Sequence, residues 1–142
     1  MRLVVPELTI WWELAMADQE DAIILVVDEE PQILQLVRLI LSRDGWRVAC
    51  ARSVRQALRI CRRSSGRIAL MLVDAFTAET HRPDWIERLR ASAGGAPIVV
   101  MSAMAPEEAV SGYAFLAKPF TPEALQNTVR ATLGRNAQAA GR

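Results

Sequence analysis

The sequence predicts an α/β fold, a doubly wound sheet of five parallel strands. Three observations carry that prediction. Short apolar runs of strand length recur along the chain, rich in Val, Ile and Leu. Stretches of helical period separate them, and such alternation implies a parallel sheet with right-handed crossovers. Runs without polar alternation suit strands covered on both faces. Five such units fit the 142 residues as one domain.

Ile23 to Val27 is the first run. Pro31 then sits at a first helical position, where its missing N–H costs nothing. Ile33, Leu36, Val37, Ile40 and Leu41 follow at amphipathic spacing, and Asp44-Gly45 ends the helix. Arg47 to Ala51 reads as the second strand. Ser53 is the expected N-cap of a helix running to Arg63. Ile68 to Val73 is the third strand, with Asp74 at its carboxyl end. A short helix is expected over Pro83 to Arg90, a fourth strand over Pro97 to Met101 ending at Ser102, and a helical turn or two over Glu107 to Ser111. Ala114 to Ala117 is the fifth strand, leading to Lys118-Pro119. Thr121 caps a last helix with Pro122 at its first position, and Gly134 is expected to stop it. The reading divides the chain into an N-terminal extension over 1–21, a domain over 22–134, and a polar, frayed tail over 135–142. The extension pairs Trp11-Trp12 with an acidic stretch from Asp18 to Asp21, and Met16 could be the natural start.

Composition narrows the function. Apolar residues at 51% and charged residues at 23% are those of a soluble globular domain, and no stretch spans a bilayer. A net charge of +1 gives no bulk reason to expect nucleic acid or an anionic membrane as partner. Arg55, Arg59, Arg62 and Arg63, with Arg52 just ahead, make the second helix basic; a solvated face is its default reading, and a partner-docking or nucleic-acid surface is the alternative. Cys50 and Cys61 lack metal or redox spacing, so reduced thiols in a cytoplasmic protein are expected. One histidine, His81, excludes a histidine-rich metal site. A cleavable signal peptide is not expected, because Glu7 and Glu13 interrupt the apolar N-terminus.

Doubly wound sheets bind ligands outside the carboxyl ends of their strands. Those ends carry Asp28-Glu29, Asp74, Ser102 and Lys118. Each has an ordinary alternative: helix-start acids, a turn carboxylate, a strand-end serine, a strand exit. Together they make a chemistry. Converging carboxylates need a cation, and oxygen-only ligands favour a hard ion such as Mg2+. A carboxylate can serve as nucleophile and become an aspartyl phosphate. Phosphoryl transfer then needs positioning and charge neutralisation, which an ammonium and a hydroxyl supply.

Ile24-Leu25-Val26-Val27-Asp28-Glu29-Glu30-Pro31 resembles the opening of response-regulator receiver domains, the CheY-like members of the flavodoxin-like fold. Pro97 to Ala103 and Phe115-Leu116-Ala117-Lys118-Pro119-Phe120 resemble their fourth and fifth strands, and the likeness covers about residues 22 to 134. The resemblance implies that Asp74 is the phosphoacceptor. It implies that Asp28, Glu29, the Asp74 carboxylate and the backbone carbonyl of Phe76 hold Mg2+. Ser102 would be the hydroxyl that turns toward the phosphoryl group, Lys118 its partner, the Lys118-Pro119 bond cis, and Phe115 the aromatic switch. The partners implied are a sensor histidine kinase or phosphotransfer protein and a downstream protein target. Neither membrane insertion nor direct nucleic-acid binding is expected.

Two features depart from the family pattern. The usual Pro-Gly turn after the phosphoacceptor is replaced by Ala75-Phe76-Thr77-Ala78-Glu79-Thr80-His81, and the stretch from Ser102 to Lys118 is short. They motivate an alternative, a pseudo-receiver that binds proteins without phosphate. A Mg2+-dependent phosphatase would need a second acid two residues beyond Asp74, where Phe76 stands. No output segment such as a helix-turn-helix follows Gly134 in this sequence, so a full protein of this length would signal by binding another protein or relaying the phosphoryl group. The expectation is a stand-alone receiver that catalyses its own phosphorylation, a switch rather than a turnover enzyme.

Overall fold

The computed structural model describes residues 22–64, 66–75, 84–104 and 113–140. Its sheet has the order β2-β1-β3-β4-β5, with every pairing parallel. The strands are β1 (Ile23–Val27), β2 (Arg47–Ala51), β3 (Ile68–Asp74), β4 (Ile98–Ser102) and β5 (Ala114–Ala117). The helices are α1 (Pro31–Arg43), α2 (Val54–Arg63), α3 (Trp85–Ser92) and α4 (Pro122–Ala140). The five-stranded parallel architecture is the one read from the apolar runs. The turn expected over Glu107 to Ser111 lies outside the described residues, as does the extension over 1–21.

β1, β3 and β4 are buried on both faces because helices cover both, while the edge strands β2 and β5 are mostly half-buried. Leu25 and Val27 point to one side, where Leu58, Cys61 and Leu89 of α2 and α3 meet them. Ile24 and Val26 point to the other, against Val37 and Leu41 of α1 and Leu125 and Val129 of α4. One strand thus feeds two cores through its period of two. Helix termini follow the expected chemistry. The Ser53 hydroxyl accepts the Gln56 N–H at 3.0 Å, and the Thr121 hydroxyl accepts the Ala124 N–H at 3.0 Å. Gly45, at φ 93°, ends α1 in the left-handed region that favours glycine.

Two expectations are corrected. The buried stripe of α1 is Leu34, Val37, Ile40 and Leu41, while Leu36 is 41% exposed. The helix is rotated so that the tighter 34/37/41 set meets the sheet, leaving a surplus of apolar surface outside. Gly134 does not stop α4, which runs on to Ala140. A helical glycine costs only about 1 kcal/mol relative to alanine, and Ala137, Gln138, Ala139 and Ala140 are good helix formers.

Candidate phosphoacceptor site

The carboxyl ends of four strands, β1, β3, β4 and β5, build the site. Asp28 follows β1 directly and is fully buried. Its backbone N–H donates to the Ala51 carbonyl at 3.0 Å, which ties it to the end of β2. Its Oδ1 accepts the Glu30 N–H at 2.9 Å, a local turn that lets the chain enter α1 through Pro31. Asp74 is the last residue of β3, registered opposite Met101, and is 8% exposed. Ser102 is the last residue of β4 and is also buried. Its carbonyl accepts the Lys118 N–H at 2.8 Å, so the backbone just past β5 is held against the end of β4.

Lys118 closes the site. Its Nζ donates to Asp28 Oδ2 at 2.5 Å and to Asp74 Oδ1 at 3.3 Å. Burial alone would lower the ammonium's pKa. The hydrogen bond to Asp28 and the charges of Asp74 and Asp28 outweigh that and raise it. The Lys118-Pro119 bond is cis, as the resemblance implies. One ammonium between two buried carboxylates leaves an excess of negative charge, and the donors are all hard oxygens. That set fits a hard divalent cation.

Of the residues singled out in the sequence, Asp28, Asp74 and Lys118 are in contact, and Ser102 shares Lys118's backbone hydrogen bond. The Ser102 Oγ accepts the Met104 N–H at 3.0 Å. Glu29 is exposed, and among the described residues no three His, Cys, Asp or Glu side chains gather as a metal cluster. The structure thus brings Asp28 and Asp74 together without gathering Glu29 between them. Lys118's ammonium takes the intervening position. Phe115 lies half-buried in β5, packed against the α2/α3 core. Phe76, Glu79 and His81 lie outside the described residues.

A groove of about 330 Å³ beside Lys118 escaped the sequence reading. Ile33 and Leu36 of α1 line it together with Glu30, Ala103, Pro119 and Phe120. Its sequence signal was the apolar surplus on α1, whose five-residue pattern is wider than the contact with the sheet requires.

The sequence profile of the response regulator receiver domain matches residues 24–130, and the chain belongs to that family. It is therefore a receiver domain of two-component signalling, a family of signalling domains rather than turnover enzymes. Receiver domains interact with histidine kinases and typically bind Mg2+. The chain is 28% identical over 125 residues to the probable transcriptional regulatory protein TcrX of Mycobacterium tuberculosis, covering 84% of this chain and 53% of that protein. It is 33% identical over 119 residues to the DNA-binding response regulator MtrA of Mycolicibacterium smegmatis, covering 80% of this chain and 51% of that protein. The chain thus spans about half the length of the curated relatives it matches. Among solved structures, the receiver domain of the hybrid histidine kinase CckA superposes with a TM-score of 0.68 at 26% identity, covering 79% of this chain and 99% of that one. Chemotaxis protein CheY4 of Vibrio cholerae gives 0.68 at 25% identity, covering 78% of this chain and 98% of that one. No helix among the described residues is long and apolar enough to cross a membrane.

Proposed function

We propose that this chain is a switch that accepts a phosphoryl group on Asp74 from a phosphohistidine and then alters a protein-binding surface. The observation that carries the reading is the Lys118 ammonium shared between two buried carboxylates at the carboxyl edge of the sheet. An Asp74 carboxylate oxygen attacks phosphorus as the phosphorus–nitrogen bond to the donor imidazole breaks, and the electron pair leaves with the imidazole. Lys118 meets one equatorial oxygen as a point charge. The Ser102 hydroxyl, whose oxygen already accepts the Met104 N–H, keeps its proton to donate to another. Asp28, Asp74 and the Phe76 carbonyl, with Glu29 turned in from its exposed position, would hold Mg2+, which supplies charge neutralisation for the incoming phosphoryl group. The groove of Ile33, Leu36 and Phe120 offers a donor helix an apolar seat beside the site. Phe115 is the element through which the occupied site would reach the surface of β5.

Labelling with radioactive acetyl phosphate tests the chemistry. An acyl phosphate on Asp74 is released by hydroxylamine, whereas a phosphoester on Ser102 resists it. Label stable to hydroxylamine would refute an aspartyl phosphate.

One observation favours a second reading, a phosphate-independent binding module. Lys118 lies 2.5 Å from Asp28 Oδ2 and so compensates part of the charge that a metal would otherwise neutralise. Calorimetric titration with Mg2+ separates the two. The switch requires binding that Asp28→Asn weakens, and the binding module requires none.

A further inference from the structure

The balanced net charge hides a strong segregation. Between Gly45 and Val73 the sequence holds seven arginines and no acidic residue, in a chain whose net charge is +1. All seven, Arg47, Arg52, Arg55, Arg59, Arg62, Arg63 and Arg67, are exposed. On α2 the buried positions are Val54, Ala57, Leu58 and Cys61, which turns Arg55, Arg59, Arg62 and Arg63 outward as one stripe. At 1.5 Å per residue that stripe is about 12 Å long. Arg52 extends it at the helix N-terminus. At the other end the Arg67 side chain folds back to the Arg63 carbonyl at 3.5 Å. No described carboxylate pairs with Arg52, Arg55, Arg59, Arg62 or Arg63.

The chemistry of the rest of this face selects the partner. Protein interfaces are built around a buried apolar or aromatic centre from which charges are depleted. Among the described residues the large exposed apolar side chains are Leu36, Leu39 and Met104, and none is on α2. Among the described residues, Gln56 and Gly66 are what lies exposed between the arginines. A face of cationic donors with no apolar centre suits a phosphate backbone, which needs only cations and N–H donors. We propose that the arginine face of α2 binds the phosphate backbone of nucleic acid without reading its sequence. This does not rest on the phosphoryl-transfer reading. The face follows β2 and lies on different side chains from the Asp74 pocket.

Fluorescence anisotropy of labelled random-sequence DNA and RNA, each as duplex and single strand, tests it on the full chain. The expected dissociation constant at low salt is on the order of 10 μM, with a log–log salt slope of about −3.6 from four phosphate contacts. The triple variant R55E/R59E/R62E should weaken binding at least tenfold. A control of equal charge change on exposed arginines elsewhere, R43E/R88E/R130E, should weaken it far less. Should the triple variant misfold by circular dichroism, Arg59→Ala alone should reduce the slope by about one. The DNA and RNA arms decide which backbone is preferred. Absence of binding to every nucleic acid, equal losses in both triple variants, or binding to polyglutamate alone would each overturn the proposal.

Discussion

Lys118 concentrates the electrostatics of the site in one side chain. It is 12% exposed and holds Asp28, which is wholly buried, and Asp74. Removing one member of a buried ion-pair cluster leaves charge uncompensated, which costs about 3–5 kcal/mol. Lys118→Ala should therefore lower the urea unfolding free energy by about 3 kcal/mol, and adding Asp28→Asn should recover part of that loss. Equal loss in the single and double variants would mean that the carboxylates are not what the ammonium serves. Tyr113 makes a second, independent statement. Its hydroxyl donates to Glu87 of α3, and that hydrogen bond, with burial and the Glu87 charge, raises the phenol above its ordinary value near 10. The neutral phenol is the form that folding favours. The stability it contributes is complete below the unfolded-state value and is lost as pH rises through the higher folded-state value. Tyr113 is the sole tyrosine, so tyrosinate absorbance reads it directly. Glu87→Gln should move that titration down. These residues differed in legibility. Asp28, Asp74, Ser102 and Lys118 were legible because each ends a recognisable apolar strand. The Tyr113–Glu87 contact was not, since nothing local marks two residues 26 apart as neighbours.

Helix α4 shows where element boundaries stop being legible. Its start was clear, because Thr121 and Pro122 are cap and first-turn chemistry, and the Thr121 hydroxyl takes the Ala124 N–H. Its end lies beyond the position the sequence suggests, because a glycine stops a helix only where the chain adopts the left-handed conformation, and Gly134 does not. A Cβ at Gly134 would meet nothing within 4 Å. Gly134→Ala should then stabilise the protein by about 0.4–1 kcal/mol, read as a rise in thermal midpoint. A destabilised variant would place the helix end at Gly134 after all. In α1 the period was right and the phase was not. Ile33 and Leu36 read as core from spacing alone, yet the core needs only the Leu34, Val37, Ile40 and Leu41 set. The surplus lines the groove beside Lys118, a feature of how two elements meet that no single helix reveals.

At the scale of the molecule, the sheet order brings the chemistry together. β1 and β3 are neighbours, so Asp28 and Asp74 meet, and β4 and β5 follow in register, so Ser102 and Lys118 join them. Alternating strands and helices made this legible, since right-handed crossovers leave all strand ends on one edge. The arginine face of α2 was legible in the sequence too, although the net value of +1 averages it against acids elsewhere. The central claim is that the Asp74 edge of this sheet accepts a phosphoryl group. Intact mass after incubation with acetyl phosphate, with and without Mg2+, on the native chain and on Asp74→Asn, tests it most directly. The account predicts one phosphoryl adduct that requires both Mg2+ and Asp74. An unmodified mass for the folded native chain, or an adduct that survives Asp74→Asn, would contradict it.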